Sequence, residues 1–319
     1  MAQELAIDTV GLEKSYGDVK VLEGVNLQVG YGTVLSLLGP NGAGKTTTIR
    51  ILSTLTAPDA GQALVAGHDV VREARQVRRR ISLTGQDVAI DGLQTGEENL
   101  RMMGRLHGLS GTQARVRARE LLVQFGLADV GGRLVARYSG GMRRRLDLAA
   151  GLVGRPLILF LDEPSSGLDL PSRLSLWATI AELARSGMTI FLTTQYLEEA
   201  DQLADLIAVF NRGKVVGQGT PTELKRQVGG QRLNLTCPDG AAFEQLTAVL
   251  GQRAVHVDAA RLTVSVPTDG LAEEVRCLLD DVDPSRRIVE RFTVTTSTLD
   301  DVFLTLTDHA AHVEEMPGV

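Results

Sequence analysis

Gly39-Pro40-Asn41-Gly42-Ala43-Gly44-Lys45-Thr46, with Thr47 behind it, decides how the chain is read. Its glycines free the backbone to curl, so that successive N–H groups can face one centre. Before it, residues 33–38 (Thr-Val-Leu-Ser-Leu-Leu) are a continuous apolar run of the buried-strand kind, and after it residues 46–52 carry apolar side chains at helical spacing. Strand, glycine loop and helix in that order are the surroundings in which G-x-x-x-x-G-K-T holds phosphate: the helix start adds the positive end of a dipole, and Lys45 adds a point charge near the outer phosphates. Only five of the 33 basic residues are lysine, which argues against an accidental match. The stretch implies ATP with Mg2+, with Gly39, Asn41, Gly42, Ala43, Gly44, Lys45, Thr46 and Thr47 around the phosphates and Thr46 on the metal.

Outward from the loop, residues 5–29 hold short alternating apolar runs broken by glycine, which predict antiparallel strands at one edge. Residues 80–84 read as a further strand, and residues 97–125 as a mostly helical insertion that pauses at 108–111. Two more buried-strand runs, 157–161 and 189–193, flank a helical pattern over 171–185, and 206–210 is a third run. Alternation of buried strands with helices predicts an α/β fold built on a mostly parallel sheet. The pattern breaks at the glycines of 217–230, and a domain boundary is expected between 229 and 230, giving an ATP-binding domain over 1–229 with a helical insertion at about 95–150. Residues 230–319 then read as a small α+β domain of order β-α-β-β-α-β, a split βαβ arrangement.

Residues 157–163, Leu-Ile-Leu-Phe-Leu-Asp-Glu, are an apolar strand ending in two acids. Alone, such an ending is an ordinary strand terminus. Beside a phosphate loop it suits phosphoryl transfer, with Asp162 holding magnesium and Glu163 polarising the attacking water. Ser139-Gly140-Gly141 opens a helical run, where a hydroxyl and free backbone amides can cap the helix or bind an anion.

Together the glycine loop, Tyr138-Ser-Gly-Gly-Met142, Leu161-Asp-Glu-Pro164 and Ser166-Gly-Leu-Asp169 stand in the order found in the nucleotide-binding subunits of ABC transporters, which the chain resembles from about residue 5 to 225. The resemblance implies a P-loop NTPase of ABC type, with a parallel-sheet core, an antiparallel β edge and a helical insertion, followed by the small α+β domain. It further implies that Tyr16 stacks on adenine, that Gln86 senses magnesium and links to the membrane partner, and that Ser139, Gly140 and Gly141 close on ATP held by a second copy. Asp169 would join the two sites.

The chain departs from the family pattern at three places. Tyr138 and Met142 stand where leucine and glutamine are usual, and Gln195 follows the strand 189–193 where the family has a histidine on the γ-phosphate. Glutamine donates a neutral hydrogen bond and carries no charge, so hydrolysis is expected to lean on Glu163. These variants, with residues 143–148 and the tail Thr298-Leu-Asp-Asp-Val-Phe-Leu-Thr305, are similar to the daunorubicin-resistance type of ABC ATPase. That likeness implies an ATPase that powers a separate membrane permease exporting amphiphilic drugs or antibiotics, and a head-to-tail homodimer at the cytoplasmic face of the membrane. A soluble regulatory ATPase without a transporter, and an ATP-gated scaffold with weak hydrolysis, stay open as other readings.

A net charge of −6 and a pI near 5.5 offer no general attraction to nucleic acid, which is not expected as a partner. No signal peptide or uninterrupted apolar span of membrane length is read. Cys237 and Cys277 are expected to be buried thiols, the five histidines show no ligand spacing, and the cluster Arg72, Arg75, Arg78, Arg79 and Arg80 reads as a solvated face.

Overall fold

A computed structural model describes residues 4–85, 90–227 and 230–314, and falls into two compact units, Met1–Thr220 and Pro221–Val319. The first unit runs β1 (Leu5–Tyr16), β2 (Val19–Gly30), β3 (Val34–Leu38), α1 (Lys45–Leu52), β4 (Ala60–Val65), β5 (His68–Asp69), α2 (Ala74–Arg78) and β6 (Ile81–Thr84). It continues with α3 (Gly96–Leu106), α4 (Gly111–Gln124), α5 (Gly140–Gly151), β7 (Ile158–Asp162), α6 (Leu170–Arg185), β8 (Thr189–Thr194), α7 (Leu197–Leu203), β9 (Leu206–Asn211) and β10 (Lys214–Gly219). Strands β3, β6, β7, β8 and β9 are parallel, β10 is antiparallel to β9, and the sheet order is β10-β9-β3-β8-β7-β6. A second, antiparallel sheet has the order β2-β1-β4-β5.

The apolar runs are uninterrupted because both faces of the parallel sheet are covered. Along β7, Ile158 and Phe160 point into the core shared with β1 and β2, while Leu159 and Leu161 point into the core shared with α3, α5 and α6; on β8, Phe191 takes the first side, and Ile190 and Leu192 the second. Each such side chain contributes about 1.5–3 kcal/mol by leaving water. Phe160 and Phe191 meet on the first side with ring centroids 5.6 Å apart. The helical insertion is α3 and α4, each opened by a capping box, Thr95 with Glu98 and Ser110 with Gln113.

The second unit runs α8 (Pro221–Gln227), β11 (Gln231–Thr236), α9 (Gly240–Leu250), β12 (His256–Asp258), β13 (Thr263–Thr268), α10 (Ala272–Val282), β14 (Arg291–Thr296) and α11 (Leu299–Glu314). Its sheet is antiparallel in the order β12-β13-β11-β14, with β13 inserted between the strands that α9 connects. Leu233, Leu235, Leu246, Val264, Val266 and Val275 form its core. The division falls at Thr220 and Pro221, ahead of the expected 229/230, because α8 packs on α11 of the same unit. Strand β10 also passes through Gly217, where the sequence pattern predicts a break; a register shift between Val215 and Gly217 accommodates it at the sheet edge. Cys237 is buried, but Cys277 is exposed on the outer face of α10, contrary to expectation.

Candidate active site

Residues 39–44 leave the carboxyl end of β3 and turn into α1, and two of the glycines are required by contact. A Cβ on Gly39 would lie 2.3 Å from the carbonyl oxygen of Phe210, and one on Gly44, at φ 109°, would lie 2.7 Å from that of Val21. The loop is pinned at both sides: the Gly39 N–H donates to Thr194 O at 3.2 Å, and the Gly213 N–H donates to Ala43 O at 3.0 Å. Gly44 caps α1 without any side-chain acceptor, so the first amides of the helix are left for a ligand.

Lys45 is buried, and its Nζ donates to Gly39 O at 2.7 Å and Pro40 O at 2.9 Å while lying 3.5 Å from Glu163 Oε1. Burial pushes its ammonium below the ordinary lysine value, against the opposing pull of Glu163 and Asp162. Thr46 Oγ1 donates to Asp162 Oδ1 at 3.2 Å. A loop hydroxyl and a strand-end carboxylate thus converge as an all-oxygen donor set of the hard kind magnesium takes, and the described residues hold no group of three or more His, Cys, Asp or Glu that would cage a metal unaided. This fits an ion held by one or two protein oxygens together with phosphates. Glu163 follows Asp162 with φ 48°, a left-handed backbone that costs an L-residue about 1–2 kcal/mol. Its N–H is held at 3.1 Å by Thr193, by both the carbonyl and the side-chain hydroxyl.

The other candidates divide into two places. Gln195 is exposed directly after β8, one residue beyond the Thr194 carbonyl that pins Gly39. Tyr16 is 48% exposed, with Lys14 Nζ 5.6 Å from its ring centroid, and it pairs with Val19 on the hairpin whose Val21 abuts Gly44. Asn41 and Gly42 are exposed on the loop, and Thr47 is half-buried on α1. By contrast, Ser139, the N-cap of α5, accepts from Met142 N at 3.2 Å, and Asp169, the N-cap of α6, accepts from Ser172 N at 3.0 Å. Hydrogen bonds from the Ser172 side chain and backbone hold the Asp169 carboxyl below its usual value. These two helix starts touch each other: a Cβ on Gly141 would come within 2.6 Å of Ser172 Oγ. Ser139 and Gly140 are exposed and make no hydrogen bond to residues 39–47. Gln86 lies outside the described residues.

Two residues at the site were not singled out in the sequence. Thr193 sat inside an apolar strand run, and Arg144 sat in the run Arg143-Arg144-Arg145, which entered only as part of the likeness to the daunorubicin-resistance type. Arg144 is in fact 5% exposed: its Nε donates to Pro164 O at 2.8 Å, and its Nη1 donates to Gly85 O at 2.6 Å, with Asp147 Oδ2 at 3.4 Å. One guanidinium thereby ties α5 to the turn after Glu163 and to the end of β6. A readable signal existed, since Gly141, Arg144 and Leu148 share one helix face and Asp147 stands three residues on.

Comparison with known proteins agrees with this geometry. Residues 22–166 match the ABC transporter family, and residues 219–307 match the C-terminal domain of ATP-binding protein DrrA1-3-like proteins. The chain is 48% identical over 312 residues to daunorubicin resistance ATP-binding protein DrrA3 of Streptomyces coeruleorubidus, covering 98% of this chain and 99% of that protein. Doxorubicin resistance ATP-binding protein DrrA of Mycobacterium tuberculosis is 45% identical over 313 residues, with 95% and 94% covered. Among solved structures, an ATP-binding subunit of an ABC transporter superposes with a TM-score of 0.62 at 28% identity, over 70% of this chain and 93% of that one. The chain therefore belongs to the ATP-binding subunits of ABC transporters, of the daunorubicin- and doxorubicin-resistance type, and is an ATPase of that family.

Proposed function

We propose that the chain hydrolyses magnesium-bound ATP on residues 39–47 to drive a separate membrane permease that exports amphiphilic drugs or antibiotics. The observation that carries the reading is the meeting of Lys45, Thr46, Asp162 and Glu163 beyond the carboxyl ends of parallel strands, where open α/β sheets bind ligands. The names of the relatives, resistance to daunorubicin and doxorubicin, support the class of cargo.

In this reading Lys45 exchanges its loop carbonyls for the outer phosphates, and Thr46 and Asp162, with Gln86, hold the metal. Magnesium supplies charge neutralisation on the phosphate oxygens. Glu163 orients the attacking water and takes its proton, and Gln195 donates a neutral hydrogen bond to the γ-phosphate. Tyr16 offers its exposed ring to adenine. The start of α5, exposed at Ser139 and Gly140, supplies Ser139, Gly140 and Gly141 to ATP held by a second copy arranged head to tail, and Asp169, the N-cap of the helix whose Ser172 abuts Gly141, joins the two sites. No described helix is long and apolar enough to cross a membrane; the membrane spans belong to the permease, with this chain peripheral at its cytoplasmic face.

Light scattering of Glu163→Gln with ATP tests the dimer, which is expected to accumulate; a strictly monomeric ATP-bound species would count against it. Turnover of Glu163→Gln should fall about a hundredfold or more. Gln195→His should raise it by about twofold to tenfold, because a charge-assisted hydrogen bond is roughly twice as strong as a neutral one. Drug efflux from cells making this chain with and without its permease tests the cargo.

A further inference from the structure

The geometry points to Thr193 as the positioning residue that holds the Asp162 carboxylate and the Glu163 backbone in their working arrangement through one hydroxyl. Thr193 is fully buried on β8, pairing with Asp162 of β7 on one side and with Leu37 of β3 on the other. Packing alone would be served there by valine, which has the same shape. A hydroxyl withdrawn from water is tolerated only where it is bonded.

This one is bonded twice. It donates to Asp162 Oδ1 at 2.6 Å and accepts the Glu163 N–H at 3.1 Å. A hydroxyl has one hydrogen and two lone pairs, so committing the hydrogen to Asp162 fixes the rotor and turns a lone pair toward the Glu163 amide. The amide needs that second acceptor, because Glu163 holds a left-handed backbone at φ 48° and otherwise keeps only the carbonyl of Thr193, also at 3.1 Å. Asp162 receives a second hydroxyl, from Thr46, but at 3.2 Å. The shorter bond fixes which way the carboxylate faces when Thr46 turns to a ligand. The assignment rests on the proposed roles of Asp162 and Glu163.

Thr193→Val and Thr193→Ser, made in the full chain, separate this role from packing, with Glu163→Gln measured beside them. For Thr193→Val, kcat should fall by about tenfold to a hundredfold, the worth of a hydrogen bond to a charged group. The affinity for ATP without magnesium, read by equilibrium fluorescence, should stay within about twofold, while the added affinity that magnesium confers should shrink and the KM for magnesium-bound ATP should rise with it. Thr193→Ser restores the hydroxyl and should return kcat to within about threefold of the wild type. A Thr193→Val variant at wild-type kcat beside an inactive Glu163→Gln overturns the assignment and leaves the Glu163 reading standing. Glu163→Gln at wild-type kcat overturns that reading and the assignment with it. A Thr193→Ser variant as slow as Thr193→Val also overturns the assignment.

Discussion

Asp162 ends β7 in the first unit and Asp283 follows α10 in the second, and both carboxylates are withdrawn from water, at 5% and 4% exposure. Their partners differ in kind. Asp283 is held chiefly by groups that cannot leave: the backbone N–H of Arg287 donates to Oδ1 at 2.9 Å, and those of Ile288 and Val289 donate to Oδ2 at 2.8 and 2.9 Å, while only the Ser285 hydroxyl, 3.0 Å from Oδ1, can rotate away. Both bonds to Asp162 fall on Oδ1 and come from the hydroxyls of Thr193 and Thr46, which rotate. A buried acid held by backbone amides is a staple of the chain, whereas one held by hydroxyls at a strand end, beside a buried lysine, is open to exchange with a ligand. The burial of a charge alone does not separate the two cases; the kind of donor does.

Asp162→Asn should break the first half of this comparison most sharply. Removing the negative charge while keeping the shape should lower ATP turnover by about a hundredfold or more, since a charged ligand at the reacting phosphates is replaced by a neutral one. The thermal unfolding midpoint should stay near that of the wild type. Steady-state phosphate release and calorimetry on one preparation check both halves. A variant that unfolds but turns over normally would make Asp162 a staple too.

Asp283→Ala should do the reverse. Its loss takes the acceptor from three amides, that of Ile288 buried and those of Arg287 and Val289 partly so, and the second unit should lose about 3 kcal/mol, read as a lower denaturant midpoint, with ATP turnover per folded molecule within about twofold of the wild type. The same group sets an acid dependence. Burial works to raise its pKa, but the amides of Val289, Arg287 and Ile288 and the Ser285 hydroxyl together hold it below the ordinary value of 3.8. A carboxyl whose folded pKa is depressed stabilises the fold at pH values above the unfolded pKa, and loses that contribution as pH falls through the folded one. Stability of the second unit should therefore decline from about pH 4 downward in the wild type, and this part of the decline should vanish in Asp283→Ala.

The same distinction explains what was legible before any coordinates. The phosphate loop and the strand ending in Asp162-Glu163 are local patterns, carried by residues adjacent in sequence, and the buried runs of β3, β7, β8 and β9 announce themselves because both faces of their sheet are covered. Asp283 lies in Asp280-Asp281-Val282-Asp283, where nothing local separates the acid that turns inward from two that face water. Its bonds to residues four to six places on hold 287–289 in a loop, so that β14 starts only at Arg291. Strand β4, whose residues 60–62 are exposed, offered no apolar run to read. Thr193 and Arg144 were hidden because their partners lie about 20 to 60 residues away.

Tyr138 carries the comparison to a residue that resemblance alone would place in the ATP-contacting signature. By the donor criterion it is a staple. It is 4% exposed, and its hydroxyl donates to the Val130 carbonyl at 2.8 Å, filling the space beside Gly96. The phenol replaces the usual leucine without turning toward solvent, while the neighbouring Ser139 and Gly140 stay exposed. Tyr138→Phe keeps the ring and removes one hydrogen bond, so it should cost about 1 kcal/mol and lower the unfolding midpoint by about 2–4 °C. Turnover and ATP affinity should hold. A loss of turnover at unchanged stability would move Tyr138 from the core to the nucleotide, and would show that in this chain the signature reads ATP with an aromatic residue as well as with a helix start.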